Sequence, residues 1–272
     1  MYLLLRIPYR RTFPNYESSA FENIFRKKIA PSQKDYEKRV VYFHGCFVNY
    51  NDHSVGKDFV KVMNAMNYGV DIMKEKCCGV PLIANGYIEK ARKNAVYNID
   101  SLQRAEQGKR IVTTSSSCAF ALKYEYSSFL ELDNSGIIER TDHSTRFISE
   151  EFSIGNVPKM KRLGIRAAYH SPCHLERMGG VMHTLNVLKM IPGLDLVVLN
   201  SECCGIAGTY GFKNENYAIS QSVGSRLFEM IEDAHPEFVI TDCETCKMQI
   251  EMNTNYKVLH PVTVVAMALK ER

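Results

Sequence analysis

The segment SECCGIAGTYG, Ser201 to Gly211, places two adjacent cysteines, Cys203 and Cys204, directly before a glycine. Neighbouring side chains usually point apart, so both thiols can serve one site only where the backbone bends sharply. Glycine permits such a bend because it has no Cβ. If this CCG triplet recurs with other cysteines at fixed distances, the pair belongs to a metal site or a redox site.

The triplet does recur, at Cys77–Gly79, about 127 residues earlier in the chain. A lone cysteine precedes each copy by about thirty residues, Cys46 in the first case and Cys173 in the second. A further cysteine follows each copy, Cys118 in IVTTSSSC and Cys246 in VITDCETC. Two half-chains that share one cysteine pattern indicate a duplicated domain.

The size of the chain agrees with a duplication. A length of 272 residues and a hydrophobic content of 45% are typical of an ordinary soluble protein with two domains. The polar, charge-mixed stretch around residues 132–162 is the expected boundary region between the copies. We predict an N-terminal linker or amphipathic segment at residues 1–37, a first domain at 38–150 and a second at 151–272.

Short buried strands alternate with helical segments in both halves. The predicted strands are RVVYF, VDIMK and RIVTT in the first half and IRAAY, LDLVVL, PEFVIT and YKVLH in the second. Such alternation is typical of parallel sheets that helices cover on both faces. The predicted fold class is therefore α/β, with two duplicated Rossmann-like halves that each contain a parallel sheet.

The cysteines follow the predicted strands and lie at or near the starts of predicted helices. In an open α/β sheet, the carboxyl ends of the strands form the crevice where ligands bind. The cysteines of each half should therefore converge. Helix N-termini there would also favour thiolates over thiols.

The second half offers five thiols, and this number is informative. They are Cys173, Cys203, Cys204, Cys243 and Cys246. A tetrahedral zinc site and a cubane cluster each take four ligands. Five thiolates favour an iron–sulfur cluster of unusual shape. A four-cysteine zinc site with a spare thiol is one alternative, and a dithiol redox site on Cys243 and Cys246 is another, although it leaves the CCG triplet unexplained.

The first half offers four thiols, Cys46, Cys77, Cys78 and Cys118. Ser115 stands where the repeat predicts a counterpart of Cys243. Four ligands suffice for zinc or for a cluster, so the first site holds a second cluster, a zinc ion or nothing. Serine oxygen is a further candidate ligand of iron.

Other polar residues near the cysteines have two interpretations each. His44, His170 and His174 are expected either to tune a cluster by hydrogen bonding or to serve as structural hydrogen-bonding residues. Asp242 and Glu244 flank a predicted ligand; they are candidates for catalytic carboxylates, and we expect them instead to cap the following helix.

Charge and hydropathy exclude several classes of protein. The net charge of +4 is too small for a nucleic-acid partner. No apolar run reaches the length of a transmembrane helix, and the start does not have the pattern of a secretory signal. We expect the nine cysteines to lie in a reducing cytoplasm, as ligands or reactive thiols. The basic amphipathic stretch at 18–31 is expected to pack on its own domain or a partner, or to lie on a membrane surface.

The repeated cysteine pattern resembles the cysteine-rich CCG domain family, which includes the B subunit of heterodisulfide reductase and an iron–sulfur protein of lactate utilisation. The stretches KCCGVPLIANGYIEKARKNAV, HSPCHLERMG, CCGIAGTYGFKNENY and TDCETCKMQIEM resemble the C subunit of bacterial anaerobic glycerol-3-phosphate dehydrogenase. This resemblance covers the chain from about Tyr42 to its end.

The resemblance implies a non-catalytic electron-transfer subunit of an oxidoreductase complex. The flavin-containing A and B subunits of the dehydrogenase would oxidise glycerol 3-phosphate, and this chain would pass the electrons toward menaquinone in the membrane quinone pool. The implied location is the cytoplasmic face of the inner membrane, with peripheral contact to it. The implied cofactor is a noncubane [4Fe-4S] cluster on the five cysteines of the second half. In the first half, the resemblance implies a metal-binding role for the four cysteines. It implies none for Ser115, which departs from the family pattern.

Two other functions remain open on the sequence. One is an enzyme whose CCG cluster acts on a disulfide or thiol substrate, as in the heterodisulfide reductase relatives. The other is a zinc-bound module that anchors a dehydrogenase. The C subunit that the chain resembles also begins with a ferredoxin-like region containing CxxCxxCxxxCP runs, and this sequence has none. Either the sequence is part of a longer chain or that region is a separate polypeptide.

Overall fold

Two four-stranded parallel sheets form the frame of the protein. The computed structural model describes residues 14–106 and 108–270. The strands are β1 Lys38–Tyr42, β2 Tyr68–Ile72, β3 Ile111–Thr113, β4 Thr141–His143, β5 Ile165–Tyr169, β6 Leu194–Val198, β7 Phe238–Ile240 and β8 Val258–Leu259. Their orders are β2-β1-β3-β4 and β6-β5-β7-β8. The same order in both halves confirms the predicted pair of Rossmann-like α/β units.

Helices connect the strands and cover the sheets. The α-helices are α1 Phe21–Ile24, α2 Ala30–Gln33, α3 Gly45–Tyr50, α4 His53–Ala65, α5 Val80–Ala84, α6 Ile88–Gln103, α7 Ser116–Phe120, α8 Tyr126–Ser128, α9 Ser135–Ile138, α10 Ser144–Ser153, α11 Cys173–Arg177, α12 Val181–Lys189, α13 Tyr217–Ala234, α14 Glu244–Asn253 and α15 Pro261–Ala268. Phe25–Ile29 and Ala121–Glu125 are π-helical, and Tyr210–Phe212 and Asn214–Asn216 are 3₁₀ turns. Within the described ranges, no helix combines the length and apolar character needed to span a bilayer.

The two halves share one hydrophobic core. Phe59 on α4 and Phe147 on α10 belong to the same buried cluster as Leu188 on α12 and Val264 on α15. Helix α4 packs against α15, and α10 packs against α12. Since each of these helix pairs joins one half to the other, burial of their apolar faces fixes the halves against each other.

The N-terminal segment, residues 18–36, packs on the first half. Phe21 and Phe25 of its apolar stripe are fully buried. Gln33 is buried beside strand β2, and its Oε1 accepts a hydrogen bond of 3.1 Å from the backbone N–H of Val70. The sequence left open whether this stretch packs on its own domain, on a partner or on a membrane surface. In the structure, its apolar stripe packs on its own domain.

A left-handed glycine follows each cysteine pair. Gly79 has φ +101° and Gly205 has φ +85°, values that strain a residue with a Cβ. A Cβ at Gly205 would also lie 2.1 Å from the carbonyl oxygen of Ser220 on α13. The backbone therefore turns at the glycine in both halves, and in the second half it passes against α13 too closely for a side chain.

A buried polar seam joins the strand ends of the two halves. His143 is the last residue of β4 and His260 follows β8, and each caps a helix, because Nδ1 accepts from the N–H of Thr145 and of Val262 respectively. Both Nε2 atoms point to one acceptor, the carbonyl oxygen of Thr114, at 3.4 Å and 2.7 Å. The two halves thus place equivalent histidines on the same backbone group.

Asp242 continues this seam on the side of the second half. Its carboxylate accepts hydrogen bonds from Tyr169 at 2.8 Å and from Thr184 at 3.0 Å. Thr184 Oγ1 lies 2.7 Å from Thr145 Oγ1 of the first half. Burial raises the pKa of Asp242 to about 7. These bonds satisfy polar groups that would otherwise destabilise the interface.

The structure contains one strand that the sequence did not predict. Strand β4, with the sequence TDH, was not predicted because it is short and polar, although all three of its residues are buried. The predicted boundary between residues 150 and 151 stays a prediction, and these two residues lie inside helix α10.

Replacing Gly205 by alanine should destabilise the protein by at least about 2 kcal/mol, since it adds a contact with the Ser220 carbonyl to the strain of a left-handed alanine. Gly86→Ala is the matched control, because Gly86 has φ +79° and no described atom near the place of a Cβ. That control should lose only about 1 kcal/mol. Urea unfolding midpoints measure both, and equal losses would contradict the steric argument.

Acid should weaken the seam through its histidines. Burial lowers the pKa of His143 from 6.5 to about 3 and the pKa of His260 to about 4. Below about pH 6.5, the histidines of the unfolded chain are protonated while those of the folded chain stay neutral. The free energy of unfolding therefore falls as the pH falls toward 4, by up to about 1.4 kcal/mol per pH unit for each histidine.

The variant His143→Asn should isolate this effect. Asparagine retains an acceptor for the Thr145 N–H but does not titrate. The stability difference between wild type and variant should shrink between pH 7 and pH 5, as measured by urea unfolding at each pH. The exposed substitution His235→Asn controls for the loss of a histidine. A difference that stays constant with pH would show that His143 is not held neutral by folding.

Candidate metal centre

The second cysteine site lies at the carboxyl ends of three strands. Cys173 begins α11 after β5, and the pair Cys203 and Cys204 lies in the irregular loop after β6. Cys243 is the N-cap of α14 after β7, and Cys246 lies in its first turn. Residues three apart share one helix face, so the CxxC sequence presents both of its thiols to the site.

The five sulfurs interact with one another. The Cys203 and Cys246 thiols hydrogen-bond to the sulfur of Cys204 and hold its pKa well below the usual range. A hydrogen bond from Cys246 lowers the pKa of Cys243 to about 6. Burial and the negative charge of Cys243 and Cys204 raise the pKa of Cys173. The structure therefore brings together all five cysteines that the sequence selected in this half.

Exposure divides this set into an inner and an outer part. Cys204, Cys243 and Cys246 are at most 5% exposed. Cys173 and Cys203 are solvent-exposed. The site is thus closed by protein on one side and open to solvent on the other.

His170 points into the buried part of this site. It is 1% exposed, and one of its ring nitrogens lies within 4.8 Å of the sulfurs of Cys204 and Cys246. Among the described residues, neither ring nitrogen has a nitrogen or oxygen hydrogen-bond partner. Its partner is a sulfur, because the ring hydrogen-bonds to Cys204 and helps to lower the pKa of that thiol.

The first cysteine site repeats this arrangement with four thiols. Cys46 lies on α3, Cys77 and Cys78 follow β2, and Cys118 lies on α7. Cys46 Sγ is 3.8 Å from Cys77 Sγ, and Cys78 hydrogen-bonds to Cys118. Hydrogen bonds from Cys46 and Cys78 lower the pKa of Cys77 to about 3. Gly45, with φ +73°, leaves space beside Cys118, because a Cβ there would lie 3.2 Å from its sulfur.

The Ser115 hydroxyl forms two hydrogen bonds within the protein. Its Oγ caps α7 by accepting from the N–H of Cys118 at 3.1 Å. The same hydroxyl donates to Glu244 Oε1 of the second half at 2.8 Å. A hydroxyl committed in this way is a helix cap and an inter-half contact.

Two buried carboxyl groups lie beside the cysteines. Burial raises the pKa of Glu244 to about 8 and the pKa of Glu75 well above its usual range. Glu75 accepts from the N–H groups of His44 and Gly45, at 3.2 Å and 2.6 Å, and lies 3.1 Å from His44 Nδ1. Burial therefore disfavours a negative charge on either carboxyl group next to the cysteines.

The two sites face each other across the interface between the halves. Ser117 Oγ on α7 is 3.8 Å from Cys243 Sγ and 3.0 Å from His174 Nδ1. The His174 ring stacks on Phe120 with 4.8 Å between ring centroids. One residue of the first half thus contacts the second cysteine site directly.

A cavity of about 30 Å³ lies in the same interface, with His44, Ser115, Thr241 and Glu244 in its wall. It has room for about one water molecule. Two buried atoms of its wall residues, His44 Nε2 and Thr241 Oγ1, have no hydrogen-bond partner among the described residues.

The sequence interpretation missed several polar residues and was wrong about one. Asp242 does not cap α14, since Cys243 is the N-cap residue of that helix. Glu75, His143 and the link from Ser115 to Glu244 were not anticipated. A charged residue two positions before Cys77 was the signal available for Glu75.

The donor set fits a sulfur-ligated metal or an iron–sulfur cluster. Soft thiolate donors select iron–sulfur clusters and zinc. The converging sulfurs and the buried His170 that hydrogen-bonds to one of them suit such an anionic centre. His143, Asp242 and His260 also lie within 4.8 Å of one another, but their ring nitrogens are occupied by the helix caps and by Thr114, so this second group is structural.

Known proteins share the pattern. The family model of the cysteine-rich domain named CCG matches twice, at residues 40–123 and 167–251. The C subunit of anaerobic glycerol-3-phosphate dehydrogenase from Escherichia coli (strain K12) is 49% identical over 268 residues, which cover 97% of this chain and 67% of that protein. An uncharacterised iron–sulfur protein of Methanocaldococcus jannaschii is 30% identical, over 78% of this chain and 41% of its own length.

A solved structure supports the fold. A hypothetical protein from Helicobacter pylori superposes with a TM-score of 0.59 at 12% identity, over 99% of this chain and 53% of that one. With two matched domains, and with near-complete coverage at 49% identity, the chain belongs to the cysteine-rich CCG domain family, among the relatives of the C subunit of anaerobic glycerol-3-phosphate dehydrogenase.

Proposed function

We propose that this chain is an iron–sulfur electron-transfer subunit of an anaerobic glycerol-3-phosphate dehydrogenase. The observation that carries the proposal is the convergence of five cysteines on one site, with a buried imidazole that hydrogen-bonds to one of them. The choice of enzyme complex rests on the name of the 49% identical relative from Escherichia coli, and the choice of an iron–sulfur cofactor rests on the name of the relative from Methanocaldococcus jannaschii.

In this proposal, Cys173, Cys203, Cys204, Cys243 and Cys246 hold a noncubane [4Fe-4S] cluster. Such a cluster accepts and donates single electrons when it is bound. Five ligands exceed the requirement of a cubane, which supports the unusual cluster type. The low pKa of Cys204 and of Cys243 supplies thiolates at neutral pH.

Cys46, Cys77, Cys78 and Cys118 form the second proposed metal site. Four sulfurs suffice for a second [4Fe-4S] cluster or for zinc. We propose that Ser115 is not a ligand there, because its hydroxyl caps α7 and donates to Glu244.

Residues around the second site would tune the electron affinity of a bound cluster. The backbone N–H of Gly205 donates to Cys203 Sγ at 3.4 Å, and hydrogen bonds to ligand sulfurs change reduction potentials. The outer position of Cys173 and Cys203 gives a partner access to the site. Ser117 of the first half contacts Cys243 of the second site, so the interface offers a path between the two sites.

The proposed partners are the flavin-containing A and B subunits of the dehydrogenase, which would deliver electrons from glycerol 3-phosphate. Menaquinone, in the membrane quinone pool, would receive them. The chain would lie at the cytoplasmic face of the inner membrane as a peripheral component of the complex.

A second candidate function is an oxidoreductase that acts on a disulfide or thiol substrate. The solvent exposure of Cys173 and Cys203 favours it, because a substrate sulfur could reach the site from that side. Turnover of a disulfide by the isolated chain with a reduced viologen dye would support this candidate. A zinc-bound anchoring module, the third alternative, requires that protein prepared without oxygen contain zinc and no iron.

Metal analysis tests the ligand assignment. Protein prepared without oxygen should contain about four irons and four sulfides per chain for one cluster, or about eight for two. Cys204→Ser should remove or convert the second-half cluster, since it eliminates a buried thiolate. Cys118→Ser, in the other half, should alter only the metal of the first site. Iron content unchanged in Cys204→Ser would contradict the assignment.

Ser115→Ala should leave the metal content of the first site unchanged while it lowers stability by about 1 kcal/mol, the typical value of a lost N-cap. Iron and zinc per chain, together with a urea unfolding curve, measure both quantities. Loss of metal from this variant would show that the serine oxygen is a ligand and not a cap.

A further inference from the structure

A basic groove lies on the first half, apart from the cysteine sites. It runs between the N-terminal segment and helix α4 and ends at the chain stretches 157–159 and 269–270. Its volume is about 1190 Å³, and its described wall contains no cysteine. Along α4 it extends from Lys57 to Ala65, a length of about 12 Å at the helical rise per residue.

Lysines line this groove, which we term the lysine groove. In the described part of the chain they are Lys28, Lys57, Lys61, Lys159 and Lys270, and the wall there includes no aspartate or glutamate. None of these ammonium groups forms an ion pair with a carboxylate among the described residues. Lys61 Nζ contacts the carbonyl oxygen of Ala266, at 3.3 Å. Asp58, beside Lys57 in the sequence, hydrogen-bonds to Thr263, and the charges of Lys61 and Lys57 also attract its carboxylate. The groove therefore concentrates positive charge.

Apolar side chains lie between the lysines of the groove, together with the polar residues Ser32, Gln33, Tyr36 and Asn64. Ile29, Ala65 and Val157 line it and pack against the core shared by the two halves. Ile24 and Leu269 add further apolar surface. The complementary ligand has negative charges along its edges and an apolar face between them.

We propose that the lysine groove binds an acidic amphipathic helix of a partner protein. The groove volume exceeds the usual size of a small-molecule pocket, and helix-in-groove recognition uses this combination of an apolar floor and charged edges. Lys57 and Lys61 lie one turn apart on α4, so they can meet carboxylates one turn apart on a bound helix.

Two other occupants fit the groove less well. A bilayer surface is flat, and the apolar residues of the groove lie in a concave floor, whereas membrane-binding surfaces insert their apolar side chains into the lipid. Residues 1–13 of this chain contain three arginines and no acid, so their charge has the same sign as that of the groove.

The test measures binding of a synthetic helical peptide with glutamates on one face and leucines on the other, by fluorescence anisotropy with the full chain prepared without oxygen. The variant Lys57→Glu with Lys61→Glu should weaken binding by at least about tenfold, and binding to wild type should weaken with added salt. The matched control, Lys90→Glu with Lys93→Glu on the exposed side of α6, has the same change in charge and should bind within about twofold of wild type.

The experiment distinguishes the other occupants. Equal loss in both double variants, or no binding by wild type, overturns the proposal. Retention on phosphatidylglycerol vesicles that only the groove variant loses, without peptide binding, assigns the groove to a membrane instead. If wild type forms a dimer and only the groove variant does not, the occupant of the groove is a second copy of this chain. The milder double variant Lys57→Gln with Lys61→Gln tests the same two lysines in case the glutamate variant does not fold. The iron content of each sample shows separately whether its cysteine sites are intact.

Discussion

The arrangement of both cysteine sites depends on one backbone carbonyl, that of Thr114. It lies at the end of β3 and accepts hydrogen bonds from a histidine of each half, His143 and His260. Buried polar groups must be satisfied, so the two sheets can meet in only one register at this point. The residues that follow Thr114 lead directly into the first cysteine site, and Asp242 at the same seam leads into the second. The polar seam therefore joins the two chain stretches that lead into the sites.

Within each half, the geometry of the cysteines follows from the parallel sheet. Loops from neighbouring strands meet at one edge, and the left-handed glycine after each CCG pair turns the backbone so that both thiols remain at that edge. The halves differ at a single cysteine position. Where Cys243 contributes a thiolate, Ser115 contributes a helix cap and a hydrogen bond to Glu244. Duplication thus produced one frame with two unequal sites.

The sequence predicted the fold class and the convergence of the cysteines because both follow from local signals. Apolar runs mark the strands, and the cysteines come directly after them. Strand β4 escaped prediction because its three residues are polar and their burial depends on the other half. Asp242 was wrongly expected to cap a helix for the same reason, since its partners Tyr169 and Thr184 are distant in sequence. The burial of Glu75 likewise depends on tertiary contacts that no local pattern encodes.

The hydrogen bond from Val70 to Gln33 has a consequence for the behaviour of the chain before its cysteine sites are filled. Strand β2 is the outer strand of its sheet, and an open outer edge is a template for pairing with strands of other molecules. The N-terminal segment occupies this edge and is held to the core by Phe21 and Phe25. The chain thereby carries its own protection against aggregation through this edge.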